Sequence, residues 1–268
     1  MFNGIVVLRG GGDLATGIAH KLFRSGFKIL VLEIEKPTMV RRTVSFGEAI
    51  FDGQAMVEGV KAIRAYNIEE IFRIWNDGCI PIIVDKECEI LDEIDVKVLV
   101  DATLAKRNLG THKEMAPITI GVGPGFDAGI DVDVVIETSR GHDLGKLIFE
   151  GSAIPDTGVP GEILGYGRER VLRSPCDGII ENVLKIGDMV KKDQVVAYVN
   201  KEEVKATIDG VLRGLVKDEL KVKKGLKIGD IDPRGEKEYC YTISDKARAI
   251  GGAVLEAILY LNNTKHGV

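Results

Sequence analysis

The feature that most constrains the fold lies at the start of the chain. An apolar run, Gly4-Ile5-Val6-Val7-Leu8, passes through the glycine cluster RGGGDLATG (Arg9–Gly17) straight into Ile18-Ala19-His20-Lys21-Leu22-Phe23. A strand that must become a helix within so few residues relies on glycine, which reaches backbone angles closed to other residues. The helix predicted from about Leu14 to Ser25 ends at Gly26, a residue suited to a C-terminal cap, and Lys28–Glu33 reads as the next strand. Together these make one βαβ unit. Further strands are expected at 80–84, 96–100, 118–122 and 132–136, and helical periodicity at 54–66 and 68–76. Short β-branched runs alternating with amphipathic stretches predict an α/β domain with a mostly parallel, Rossmann-like sheet.

Gly10, Gly12 and Ala15 satisfy GxGxxA between that strand and helix, and Glu33 ends the following strand where an acidic side chain meets a ribose hydroxyl in dinucleotide-binding proteins. Gly10, Gly11, Gly12, Asp13, Ala15 and Glu33 are therefore the candidate cofactor-binding residues, with NAD(P) or another nucleotide as the expected ligand. GGGDLA resembles the GGG-x-x-A loop of NAD-binding siroheme-synthase-type dehydrogenases. Asp13 places a carboxylate in the first helical turn, where it satisfies the helix dipole and opposes a phosphate. A P-loop is excluded, because Ile18-Ala19 stands where Lys and Ser or Thr would be required.

A second glycine loop, Gly121–Gly129, contributes Gly123 and Gly125 as further candidates, either as an anion nest or as a simple Gly-Pro turn. The loop Glu137–Gly145 gathers an acid, a guanidinium and an imidazole, and His142 is the candidate general base. Arg41, Arg42, Asp101, Arg107 and Arg140 are candidate ligand contacts, against the alternative of solvated turns. The four histidines and four scattered cysteines show no metal spacing, so no metal site is expected.

From 141 to 167 glycines and prolines crowd a segment with little periodicity, which divides the chain into 1–165, 166–235 and 236–268. The middle part contains an internal repeat. Asp177-Gly178-Ile179-Ile180 corresponds to Asp209-Gly210-Val211-Leu212, and Val190-Lys191-Lys192 to Val222-Lys223-Lys224, both 32 positions apart. Duplicated short strands imply two interlocked all-β halves. SPCDGIIENVLKIGDMVKKDQVVAYV (Ser174–Val199) resembles the first half of the barrel-sandwich hybrid of biotinyl and lipoyl carriers. A biotin carrier would present a lysine between methionines at the joint; here the joint is Asn200-Lys201-Glu202-Glu203-Val204-Lys205, so no biotin or lipoate is expected on Lys201 or Lys205. Ser244–Leu261 reads as a Ser-capped helix whose small residues, Ala249, Gly251, Gly252 and Ala253, suit close packing on the first domain or in a homo-oligomer.

The net charge of −5 and the lack of a basic, aromatic-interleaved run speak against nucleic acid. No apolar stretch approaches the roughly 20 residues of a membrane helix, and no signal-type core opens the chain, so a cytoplasmic protein without a membrane partner is expected.

Segments spread over nearly the whole chain, VVLRGGGDLATGIAHKLFRSGF, KPTMVRRTVSFGEAIFDG, VDATLAKRN, GVGPGFDAGIDVDVVIETSRGHDLGKLIFEG, GVLRGLVKDELKVKKGLKIGDIDPRG and YTISDKARAIGGAVLEAIL, resemble the accessory proteins of selenium-dependent molybdenum hydroxylase systems. The resemblance implies a maturation role, with a molybdenum hydroxylase or its cofactor-maturation proteins as partners. It also implies a first domain comparable to that of xanthine dehydrogenase accessory factors, although the sulfur- or selenium-transferring thiol of those factors has no clear counterpart here. If selenium passed through as a covalent adduct, Cys176 and Cys240 are the cysteines to test. Two other readings stand beside it: an NAD-dependent oxidoreductase using Gly10, Gly12, Glu33 and His142, and a carrier modified at Lys201 or Lys205.

Overall fold

A computed structural model describes residues 4–265. It is a mixed α/β protein with an additional antiparallel β unit, and it divides into two compact units. The first comprises the chain up to Pro37, Ser45–Thr157 and the chain from Ile243 on; the second comprises Thr38–Val44 and Gly158–Thr242.

The first unit is built on a nine-stranded sheet. Its elements run β1 (Ile5–Arg9), α1 (Asp13–Arg24), β2 (Lys28–Glu33), α2 (Ala49–Asp52), β3 (Gln54–Val57), β4 (Val60–Arg64), α3 (Ile68–Asn76), β5 (Ile80–Val84), β6 (Val96–Asp101), β7 (Ile118–Val122), β8 (Asp127–Ala128), β9 (Val134–Ile136), β10 (Leu147–Ile148), β11 (Gly151–Ser152) and, at the C-terminus, α4 (Asp245–Lys265). Strand order is β10-β9-β7-β6-β1-β2-β5-β4-β3, parallel throughout except for the two antiparallel edge strands, β3 and β10. The near-continuous apolar runs of β1, β2 and β6 follow from this, because a parallel strand covered on both faces buries alternate side chains in both directions. Val6, Val7, Leu8, Leu30, Val98 and Leu99 are all fully buried.

The βαβ unit forms as expected: α1 is capped at Ser25, followed by Gly26 at φ 89°. The predicted helix over 54–66 does not form. Residues Gln54–Val57 and Val60–Arg64 pair as a hairpin, with Glu58 and Gly59 both at positive φ in the two-residue turn. The apolar residues there alternate rather than recur every third or fourth position: Val60 and Ala62 are buried while Lys61 and Ile63 are not.

Chain segments 236–242 and the C-terminal helix part company. Residues up to Thr242 belong with the second unit and α4 belongs to the first. α4 lies against α1 with backbone contact, one of the two packings its small residues allowed, and the approach runs through Ala247 and Gly251 while Gly252 meets nothing among the described residues. A Cβ added at Gly17 would lie 2.7 Å from that of Ala247, and one added at Gly251 would lie 2.8 Å from the Gly17 carbonyl. The Ser244 hydroxyl accepts from the Ala247 N–H at 3.2 Å, the expected N-terminal cap.

The second unit holds two antiparallel sheets. One is β12-β19-β17-β14 and the other β16-β15-β13-β18, from β12 (Val171–Arg173), β13 (Gly178–Asn182), β14 (Met189–Val190), β15 (Val195–Val199), β16 (Glu202–Lys205), β17 (Gly210–Leu215), β18 (Lys221–Val222) and β19 (Lys227–Asp232). The 32-residue repeat is expressed as exchanged pairing. Gly178 of the first half pairs with Val222 of the second, and Gly210 of the second pairs with Val190 of the first. Neither half completes a sheet alone.

Candidate functional site

The strand order reverses beside β1, with β2 on one side and β6 on the other. In open α/β sheets the crevice outside the strand C-termini at such a point is where ligands bind. Here that edge collects the glycine cluster after β1, Asp101–Arg107 after β6, Gly121–Phe126 after β7, Glu137–Asp143 after β9 and the first turn of α4.

Within the glycine cluster each position has a different task. Gly10 takes φ 102°, and a Cβ there would lie 3.0 Å from the Ala102 carbonyl. Gly11 packs against the segment Ser45–Glu48, with its carbonyl accepting from the Gly47 N–H at 2.8 Å. Its own N–H donates to Glu33 Oε1 at 2.9 Å. Gly12 alone of the three opens onto free space, with no atom of the described residues within 4 Å of the point a Cβ would occupy, and it precedes α1, whose first-turn N–H groups have no acceptor within the helix. Ala15, in that first turn, is buried. The Glu33 carboxylate accepts from Gly11 and, at 2.7 Å, from Ile34 N–H. Burial raises its pKa above 4.5. In this arrangement Glu33 holds the glycine loop itself rather than presenting a free acceptor to a ribose.

The other predicted residues separate. Asp101 is fully buried and bonded to Thr111 Oγ1 at 2.6 Å, Thr103 Oγ1 at 2.7 Å and Arg9 at 3.4 Å, so it anchors the strand end. Arg107 is exposed. Gly123 and Gly125 are required by protein neighbours: a Cβ would lie 2.9 Å from Thr138 Oγ1 and 2.6 Å from the Arg107 backbone nitrogen. Arg140 is bidentate to Asp245 at 2.7 and 2.8 Å, tying the post-β9 loop to the start of α4. His142 is exposed on that loop. Arg41 and Arg42 belong to the second unit, where Arg41 donates to the Tyr239 and Thr242 carbonyls and Arg42 to the Leu215 carbonyl. Among the described residues no group of three His, Cys, Asp or Glu side chains could hold a metal.

Lys246 joins this edge without having been marked by any motif in the sequence. It sits in the first turn of α4, and burial lowers its pKa, aided by Arg140 and opposed by Asp13, Glu137 and Asp156. Its ammonium makes no hydrogen bond or ion pair with any described residue. Glu137, by contrast, is spent on the N–H groups of Ser139 at 2.6 Å and Ile154 at 2.8 Å. A half-buried ammonium without an acceptor, beside the N-terminus of α1, is a charge available to an anionic ligand. Nothing local in the sequence marks it, since it lies 233 positions from Asp13.

No protein-family model matches the chain. The chain is 51% identical over 257 residues to the uncharacterized protein YqeB of Escherichia coli (strain K12), covering 96% of this chain and 48% of that protein, so it spans about half the length of this relative. Among solved structures, an aspartoacylase family protein of Mesorhizobium loti is 11% identical with a TM-score of 0.26, covering 79% of this chain and 58% of that one. The product-bound ectoine utilization protein EutE (DoeB) of Ruegeria pomeroyi is also 11% identical at a TM-score of 0.26, covering 85% of each chain. At these scores the likeness carries neither fold nor function to this chain. No described helix is long and apolar enough to cross a membrane.

Proposed function

We propose that this chain is an accessory factor for selenium-dependent molybdenum hydroxylases. In this reading a Rossmann-like first unit binds a nucleotide-containing ligand, and the second unit is a barrel-sandwich hybrid that carries no biotin or lipoate. The motifs spread along the whole sequence support the pathway. One observation carries the ligand: Gly12 leaves the N-terminus of α1 open beside β1 and β6, and the unpartnered Lys246 ammonium stands close enough to Asp13 to feel its charge. A phosphate there would meet first-turn N–H groups and Lys246, while Glu33 keeps the loop in shape. The exchanged pairing of the two β halves supports the hybrid reading of the second unit.

The test is calorimetric titration of the protein with NAD, NADP, ATP and molybdopterin nucleotides. At least one should bind, binding should vanish in Gly12→Asp, and Lys246→Met should weaken it about tenfold, the worth of one charge-assisted contact. Gly12 has φ −68°, an ordinary angle for any residue, so the variant keeps the backbone. Heat from none of the four ligands would sink the nucleotide reading, and failure to co-purify with a selenium-dependent hydroxylase would sink the accessory role.

A further inference from the structure

The far half of α1 carries a second concave site. A cleft of about 260 Å³ is lined by His20, Lys21, Arg24, Ser25 and Arg248, over a floor at Gly17. Its shape follows from helix geometry. Residues 17, 20, 21 and 24 fall on one face of α1 at three- and four-residue spacing. Because Gly17 lacks a side chain, the first turns of α4 approach closely enough to bring Arg248 onto that face.

The charge in this cleft is unbalanced. Arg248 is held by Glu58, whose carboxylate receives the guanidinium at 2.6 Å and the Ile243 N–H at 2.8 Å. Glu58 is itself pinned in the hairpin turn at φ 42°. Lys21 and Arg24 make no ion pair with any described residue. His20 is buried, with Nε2 3.4 Å from the Glu58 carbonyl; burial chiefly, with Arg24 and Arg248, holds its pKa below 6.5, so the ring is neutral at neutral pH. Three permanent cations thus face one carboxylate, in a chain whose net charge is −5.

We propose that this cleft binds a phosphate group, either free or as the monoester end of a small molecule. Lys21 and Arg24 supply charge, and Arg248, oriented by Glu58, supplies a directed guanidinium fork. The volume is below the ~300 Å³ at which ordinary ligand pockets begin, which suits a phosphate with a small appendage and is too small for a dinucleotide. The site lies at the other end of α1 from the glycine loop, so it stands or falls independently of nucleotide binding there.

Titration of the full chain with inorganic phosphate and with ribose 5-phosphate at low salt tests this, with the His20 ring followed by NMR. Saturable one-site binding is expected, with the His20 pKa moving up as an anion joins its surroundings. Arg24 is exposed, so Arg24→Ala keeps the fold, and it should weaken binding about tenfold while Gly12→Asp leaves it unchanged. Equal affinity for the two ligands assigns the cleft to the free anion, and tighter ester binding assigns it to a phosphomonoester. The proposal is overturned by absence of saturable binding of both, by an Arg24→Ala variant that binds like the wild type, or by binding that Gly12→Asp abolishes.

Discussion

The Asp177 carboxylate accepts a hydrogen bond from the Lys224 backbone N–H at 2.7 Å, and 32 residues further on the Asp209 carboxylate accepts one from the Lys192 N–H at 2.8 Å. Each aspartate therefore closes a turn in the other half of the repeat, and two matching cross-half bonds add to the strand pairing within each half.

Removing one lock should loosen the unit in a pH-dependent way. The Lys192 N–H, and then the Lys191 ammonium, hold the Asp209 pKa below 3.8. A carboxylate with a depressed folded-state pKa contributes stability above its unfolded value and loses it as pH falls through the folded one. Asp209→Ala should therefore lower the urea midpoint at pH 7, and its difference from the wild type should shrink as pH falls below 3.8. A midpoint equal to that of the wild type at pH 7 would deny the lock.

Adjacent glycines should respond in opposite ways. A Cβ at Gly11 would sit 2.9 Å from the Gly47 backbone nitrogen, while one at Gly12 meets nothing. Gly11→Ala is expected to cost about 1–3 kcal/mol through overpacking. Gly12→Ala should stay within about 0.5 kcal/mol of the wild type. Thermal unfolding of both variants decides it, and equal losses would contradict the close packing of Gly11 against Ser45–Glu48.

Glu33 should leave a signature of opposite sign to that of Asp209. Burial raises its pKa above 4.5, so the native state holds its proton more tightly than the unfolded chain. Its contribution falls as pH rises from the unfolded value through the folded one, then levels off. Glu33→Gln, which cannot ionise, should lack that decline in a series of melts from pH 4 to pH 7. An unchanged profile would mean that the carboxylate is solvated.

The cysteines should divide by reactivity. Burial pushes the Cys88 thiol up to about 11 and also raises Cys240, whereas Cys79 and Cys176 are half-buried. Iodoacetamide at pH 8 should label Cys79 and Cys176 in the folded protein, and reach Cys88 and Cys240 only after unfolding, because the thiolate is the reactive form. Labelling of Cys240 as fast as Cys176, read by peptide mass spectrometry, would restore it as a candidate carrier of sulfur or selenium.

What was legible in the sequence was whatever is written locally or repeated. The strand, glycine cluster and helix at Ile5–Arg24, the apolar runs of β1, β2, β5, β6 and β7, the helix at Ile68–Asn76 and the 32-residue duplication are all encoded by neighbours in the chain. The span 54–66 misled because a short run of mixed residues suits a helical face as well as an alternating hairpin, and the two-residue turn at Glu58-Gly59 decides between them.

The candidate site was legible only in part, since residue type does not reveal what a side chain touches. Glu33 has the position of a ribose acceptor, yet its oxygens take the Gly11 and Ile34 N–H groups; Asp101 is consumed by Arg9, Thr103 and Thr111. The sequence by itself determined the α/β character of the first unit, the glycine cluster between β1 and α1 and the duplication of the second. Only tertiary structure brought α4 back onto α1, setting Lys246 near Asp13 and Arg248 beside Arg24. The physical reason is that helix packing at Gly17 and Gly251 depends on contact between segments more than two hundred residues apart, and no local propensity encodes such a contact.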